Sequence, residues 1–144
     1  MTDEWLALML NKTFIYVDKL PNGAKAITSR WVYKTKTLAN GDLNYKARLV
    51  VRGFEQQYGV DYTETFAPVA KLSTIRALLT MAASLSWAVH QMDVVTAFLN
   101  PTLSEDVYME LPQGHDWLPY LPENSGRYIK LYKALYGLKQ APRE

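Results

Sequence analysis

The chain has 144 residues, 49% of them apolar, which suits one domain with a real core, and its longest apolar runs fall far short of the roughly 18 residues of a membrane span. It has no cysteine, which excludes a disulfide framework and thiolate metal sites; with no signal-peptide pattern at its start, the expected setting is intracellular. A net charge of +2 does not by itself call for a polyanionic partner, but the charges are unevenly placed.

In chain order, Asp3 to Leu10 predicts a short helix, with two acids at its positive N-terminus and Leu6, Met9 and Leu10 on one face. Pro21-Asn22-Gly23 marks a turn. Apolar and polar residues alternate from Ile27 to Lys36, predicting a strand, and Asn40-Gly41 is a strong hairpin signal before a second alternating run from Tyr45 to Arg52. The two strands are expected to turn an apolar face inward and a basic face outward. Between Arg30 and Arg52 stand Arg30, Lys34, Lys36, Lys46, Arg48 and Arg52, opposed only by Asp42.

Gly53 to Pro68 reads as an irregular connection. Ile75, Leu78, Leu79, Ala82 and Ala83 then fall at helical spacing, predicting a helix over about Thr74 to Leu85 with Ser73 or Thr74 as N-cap. Trp87 to Val95 predicts a strand with Gln91 and Asp93 on one face, closed by Asn100-Pro101. A short strand near Val107-Tyr108-Met109, a loop containing Pro112, Gly114, Pro119 and Pro122, and a strand from Arg127 to Tyr132 complete the chain. A second basic group accompanies this end: Arg127, Lys130, Lys133, Lys139 and Arg143. The fold class is α+β, a mixed antiparallel sheet with helices.

Asp93 stands alone in an apolar strand, where a buried carboxylate requires a cation or hydrogen-bond donors. A hard divalent cation such as magnesium suits carboxylate and carbonyl oxygens; a helix cap near Thr96 or a solvent-facing strand end explains the residue equally simply. The basic hairpin face, with Lys46, Arg48 and Arg52 at two-residue intervals, fits nucleic-acid phosphates or plain solvation. Gly137, in Tyr136-Gly137, allows either close approach of backbone to a ligand or an ordinary turn. His90 and His115 lack metal-ligand spacing, and neither a phosphate-binding glycine loop nor a nucleophile triad occurs.

Several ordered stretches resemble the reverse transcriptase domain of copia-type LTR retrotransposons: Arg30–Lys34, Lys46–Phe54, Gly59–Val69, Gln91–Val94 continuing through Thr96–Asn100, Val107–Met109 with Pro112-Gln113-Gly114, and Leu135–Arg143. The resemblance implies a partial polymerase right hand, with about 1–68 as fingers, 69–100 as the start of the palm, 101–140 returning to the fingers and 141–144 re-entering the palm. It implies that Asp93 is the first palm carboxylate, with the Val94 carbonyl as a neighbouring metal ligand for Mg2+ or Mn2+. Phe98 resembles the gate residue that excludes a ribose 2′-hydroxyl by steric contact. Lys46 and Arg48 resemble the holders of the incoming triphosphate; Tyr136, Gly137 and Lys139 resemble the lining of the nucleotide pocket; Arg30, Lys34 and Arg52 are candidate nucleic-acid contacts.

The implied partners are an RNA or DNA template-primer, a deoxynucleoside triphosphate and the remainder of a Pol polyprotein, in a cytoplasmic virus-like particle or the nucleus. Two-metal chemistry needs further carboxylates, which the family supplies from a Tyr-x-Asp-Asp hairpin, and no Asp-Asp pair occurs in residues 1–144. The chain by itself is therefore expected not to polymerise DNA. Val95 and Pro101 depart from the family's usual lysine and glycine. A non-catalytic nucleic-acid-binding module using the basic hairpin is the alternative reading.

Overall fold

The computed structural model describes residues 1–92, 101–118 and 126–144. Helix α1 spans Thr2–Leu10, with Asp3 and Glu4 in its first turn and Trp5 and Leu8, one turn apart, as its buried residues. Four strands form a sheet in the order β1-β6-β5-β2. In it β1 (Phe14–Val17) and β5 (Thr102–Glu110) flank β6 (Tyr128–Lys133), both antiparallel, and β2 (Ala26–Ile27) adds in parallel to β5. Phe14 and Val107 both lie opposite Leu131, so the centre of β6 carries the middle of the sheet.

Strands β3 (Ser29–Thr37) and β4 (Leu43–Val51) form a separate antiparallel ribbon around the Asn40-Gly41 turn, as the turn chemistry predicts. The single strand expected from Ile27 to Lys36 is broken at Thr28, and Ile27 and Ser29 belong to different sheets. Glu55 causes the break: the Thr28 amide and hydroxyl both donate to its carboxylate at 2.7 Å, while the Arg52 amide donates to the Thr28 carbonyl at 2.9 Å. Those hydrogen bonds hold Glu55 below the ordinary carboxylate range.

One core joins these parts. Trp5 and Leu8 meet Leu49 and Val51 of β4, Val107 and Met109 of β5, Ile129 and Leu131 of β6, and the turn residues Ala134, Leu135, Leu138 and Ala141. Phe14 extends it, with ring centroids 4.9 Å from Trp5 and 5.6 Å from Tyr16. The hairpin obeys the inward-apolar expectation only near its base. Leu49 and Val51 are buried, but Tyr33 and Tyr45, farther out on the same face, are exposed, Tyr33 meeting the Met1 sulfur at 3.1 Å.

Two expectations for the middle of the chain are corrected. Helix α2 spans Leu72–Ser84; Lys71 is its N-cap, with no side-chain capping bond, and Ser73 and Thr74 lie inside the first turn. Its periodic apolar face is not buried. Ala82 is covered, whereas Ile75, Leu78 and Leu79 are exposed, Leu78 at 57%, because no sheet or helix among the described residues lies over them. The strand expected over Trp87 to Val95 is absent from its described part, Trp87 to Met92, whose residues are exposed and have no strand among the described residues beside them to complete a ladder. The rest of that stretch, with Asp93, Val94 and Phe98, lies outside the described residues. No helix among the described residues is long and apolar enough to cross a membrane.

Candidate nucleic-acid and nucleotide site

Side chains alternate across a strand, so the β3–β4 register sorts the ribbon into two faces. Trp31 faces Leu49 and Tyr33 faces Ala47 on the apolar side; Arg30 faces Val50, Val32 faces Arg48 and Lys34 faces Lys46 on the other. The basic face is therefore real: Arg30, Lys34, Lys36, Lys46 and Arg48 share it. Lys34 and Lys46 are direct cross-strand partners, a like-charge pairing that destabilises a sheet unless an anion lies over it. Among the described residues no ion pair within 4 Å engages these five side chains, although Arg48 lies within electrostatic reach of Glu4.

The turn Leu135–Arg143 is fastened to the foot of this ribbon. The Val51 amide donates to the Tyr136 carbonyl at 2.8 Å, and the Arg48 guanidinium stands over the Tyr136 ring, 5.2 Å from its centroid. Gly137 has φ +94°, and a Cβ there would sit 2.1 Å from the Val51 carbonyl oxygen; a Cβ on Gly53 would sit 2.1 Å from the Gly137 oxygen. The packing of the two segments is by itself enough to require glycine at 137. Two backbone segments meet where no side chain fits.

A buried amide network closes the seam from the other side. The Gln56 side-chain amide donates to the Gln140 side-chain oxygen at 3.0 Å, the Gln140 amide donates to the Asp61 carbonyl at 2.8 Å, and the Gln57 backbone amide donates to the Asp61 carboxylate at 2.7 Å. Gln56 also accepts the Lys139 backbone amide at 2.8 Å. The Lys139 ammonium is turned onto Tyr62, 3.0 Å from its hydroxyl and 4.6 Å from its ring centroid.

The second basic group is largely engaged within the protein. Lys130 pairs with Asp106 at 2.7 Å between the rings of Tyr108 and Tyr132, and that bond raises its pKa above the ordinary lysine value. Arg143 pairs with Glu64 and Glu144. His115 is paired with Asp116, and His90 is exposed.

The structure thus brings Arg48 together with Tyr136, and Arg30 and Arg52 with Gly137 around one cleft of about 300 Å³. Lys34 and Lys46 line a second cleft of about 280 Å³ with Tyr33 and Tyr45. Arg52 is partly drawn to Glu55 at 4.0 Å. Asp93, Val94 and Phe98 lie outside the described residues, and among the described residues no group of three His, Cys, Asp or Glu could hold a metal ion. Sequence reasoning gave no role to Glu55, Gln56 or Gln140. Periodicity carries no signal for a buried polar side chain whose partner lies far away in the chain.

The pattern of the family described as reverse transcriptase (RNA-dependent DNA polymerase) matches residues 11–144, and the chain belongs to that family. Its relatives place it with the Pol polyproteins of copia-type plant transposons. It is 46% identical to the retrovirus-related Pol polyprotein from transposon TNT 1-94 of Nicotiana tabacum over 147 residues, covering 100% of this chain and 10% of that protein. It is 44% identical to the corresponding polyprotein from transposon RE1 of Arabidopsis thaliana over 145 residues, covering 99% of this chain and again 10% of the relative. An uncharacterized mitochondrial protein of Arabidopsis thaliana is 42% identical over 86 residues, 59% of this chain and 50% of that protein. The chain therefore spans about a tenth of the polyproteins it resembles. No solved structure matches it.

Proposed function

We propose that this chain forms the fingers and the first part of the palm of a copia-type retrotransposon reverse transcriptase, with about 1–68 and 101–140 as fingers and 69–100 and 141–144 as palm. In this reading the basic face of the β3–β4 ribbon holds phosphates of the template-primer and of the incoming deoxynucleoside triphosphate. The carrying observation is the exposed Lys34–Lys46 pair, two cations opposed across a ladder and waiting for an anion, beside an Arg48 already oriented on Tyr136. Tyr136 and Gly137 line the triphosphate's approach, Lys139 supports it from Tyr62, and Phe98 excludes ribonucleotides.

Reverse transcriptases use divalent metal ions, which activate the primer hydroxyl and neutralise the triphosphate. Asp93 and the Val94 carbonyl supply one ligand site, and the Asp-Asp pair that completes it in the family does not occur in residues 1–144. These 144 residues therefore bind nucleic acid without extending it. Primer extension with Mg2+ or Mn2+ is expected to give no product, and template-dependent incorporation would overturn that expectation. The remainder of the Pol polyprotein is the partner that completes the palm.

A second reading, a non-catalytic nucleic-acid-binding module, is favoured by one observation: the five cations of the ribbon face need neither Asp93 nor a metal to be in place. Activity in a longer chain carrying the Tyr-x-Asp-Asp hairpin, lost on Asp93→Asn, separates the first reading from the second.

A further inference from the structure

Phe54 is 78% exposed although the backbone on both sides of it is fixed. It occupies the middle of a one-turn 3-10 helix, Gly53–Glu55. Before it, Gly53 is packed against the Gly137 carbonyl too closely for any side chain. After it, Glu55 receives both Thr28 donors at 2.7 Å, and Gln56 is buried in the amide network with Gln140. The ring is therefore carried into solvent by a backbone pinned on both sides.

Its surroundings say what the ring meets. Phe54 lines the 300 Å³ cleft with Arg30, Val50, Arg52 and Gly137. Arg30 and Val50 are cross-strand partners on the basic face, so the ring stands at the edge of the phosphate-holding surface. A rigid aromatic platform bordered by guanidinium groups is how proteins hold single-stranded nucleic acid: bases stack on the ring and phosphates follow the cations. We propose that Phe54 is a stacking platform for an unpaired base of a single strand whose phosphates run over Arg30 and the ribbon's basic face. This rests on the nucleic-acid reading above and adds to it a contact that reads bases without reading sequence.

The test compares an unstructured oligothymidylate with an abasic oligomer of the same length, titrated against the wild type, Phe54→Leu and Phe54→Trp at several salt concentrations. The wild type is expected to prefer the base-bearing strand. Phe54→Leu weakens that strand by roughly 5-fold to 100-fold, leaving the abasic affinity and the salt slope unchanged, and Phe54→Trp restores the preference. The exposed ring makes misfolding of the variants easy to check by unchanged circular dichroism. Equal affinity of Phe54→Leu and wild type, with Lys46→Ala still weakening binding, overturns the platform and leaves the phosphate reading standing. No binding of either strand at low salt overturns both.

Discussion

Leu131 in β6 and Leu79 in α2 are the same residue in opposite circumstances. Leu131 is fully buried, with Phe14 and Val107 across from it on two neighbouring strands; Leu79 belongs to an equally periodic apolar face and is about half exposed, at 48%. The contrast extends to the segments around them. The sheet, α1 and the Leu135–Ala141 turn share one core, while α2 and Trp87–Met92 carry Ile75, Leu78, Met81, Trp87 and Met92 exposed. Amphipathic spacing states which face of a helix is apolar. It does not state whether the covering surface lies in the same stretch of chain.

Paired truncations break or sharpen that comparison most strongly. Leu131→Ala is expected to cost about 2–5 kcal/mol in chemical denaturation, whereas Leu79→Ala costs less than about 0.5 kcal/mol. Equal losses would mean that α2 is packed as tightly as the sheet. The seam beneath the ribbon ranks next. Gly137→Ala forces a side chain into a positive φ and against the Val51 carbonyl, and should lose about 3 kcal/mol with loosening of both the ribbon base and the 135–143 turn. Gln140→Ala leaves the Asp61 carbonyl and the Gln56 amide without their partner and should lose about 1–3 kcal/mol.

The smallest effect is on pH. Glu55 is held below its ordinary value of 4.5 by Thr28, so its contribution is full above 4.5 and disappears as pH falls through its lowered folded value. Burial raises Glu4 above 4.5, which acts in the opposite sense: its stabilisation is full below 4.5 and is lost as pH rises through the raised value. Denaturation midpoints between pH 2 and pH 6 are expected to fall less steeply on acidification in Glu55→Gln than in the wild type. An unchanged slope would remove Glu55 from the account of the break at Thr28.

The Asn40-Gly41 hairpin, the position of helix α1 and strands β5 and β6 could be read from sequence because turn chemistry and alternation are local signals, but the buried face of α1 is Trp5 and Leu8 and not the expected Leu6, Met9 and Leu10, of which Leu10 is exposed. Strand β1 could not, since Phe14-Ile15-Tyr16-Val17 has no polar alternation to mark it. Thr28 interrupts an alternating run because of a carboxylate 27 residues away, and α2 begins at Leu72 without the side-chain cap that Ser73 or Thr74 suggested. The site divides in the same way. The basic face follows from two-residue periodicity, but the contact of Arg48 with Tyr136 and the Gln56–Gln140 bond, 84 residues apart, are products of tertiary packing.

The central claim is that the ribbon's basic face, oriented by the turn packed against its foot, holds nucleic-acid phosphates. Its most direct test is the salt dependence of single-stranded oligonucleotide binding in the wild type and in Lys34→Ala, Lys46→Ala and Arg48→Ala. Affinity is expected to fall linearly with salt on logarithmic axes, and each substitution should weaken binding and reduce the slope by about 0.7–1. A slope unchanged by all three substitutions, or binding insensitive to salt, would contradict the claim.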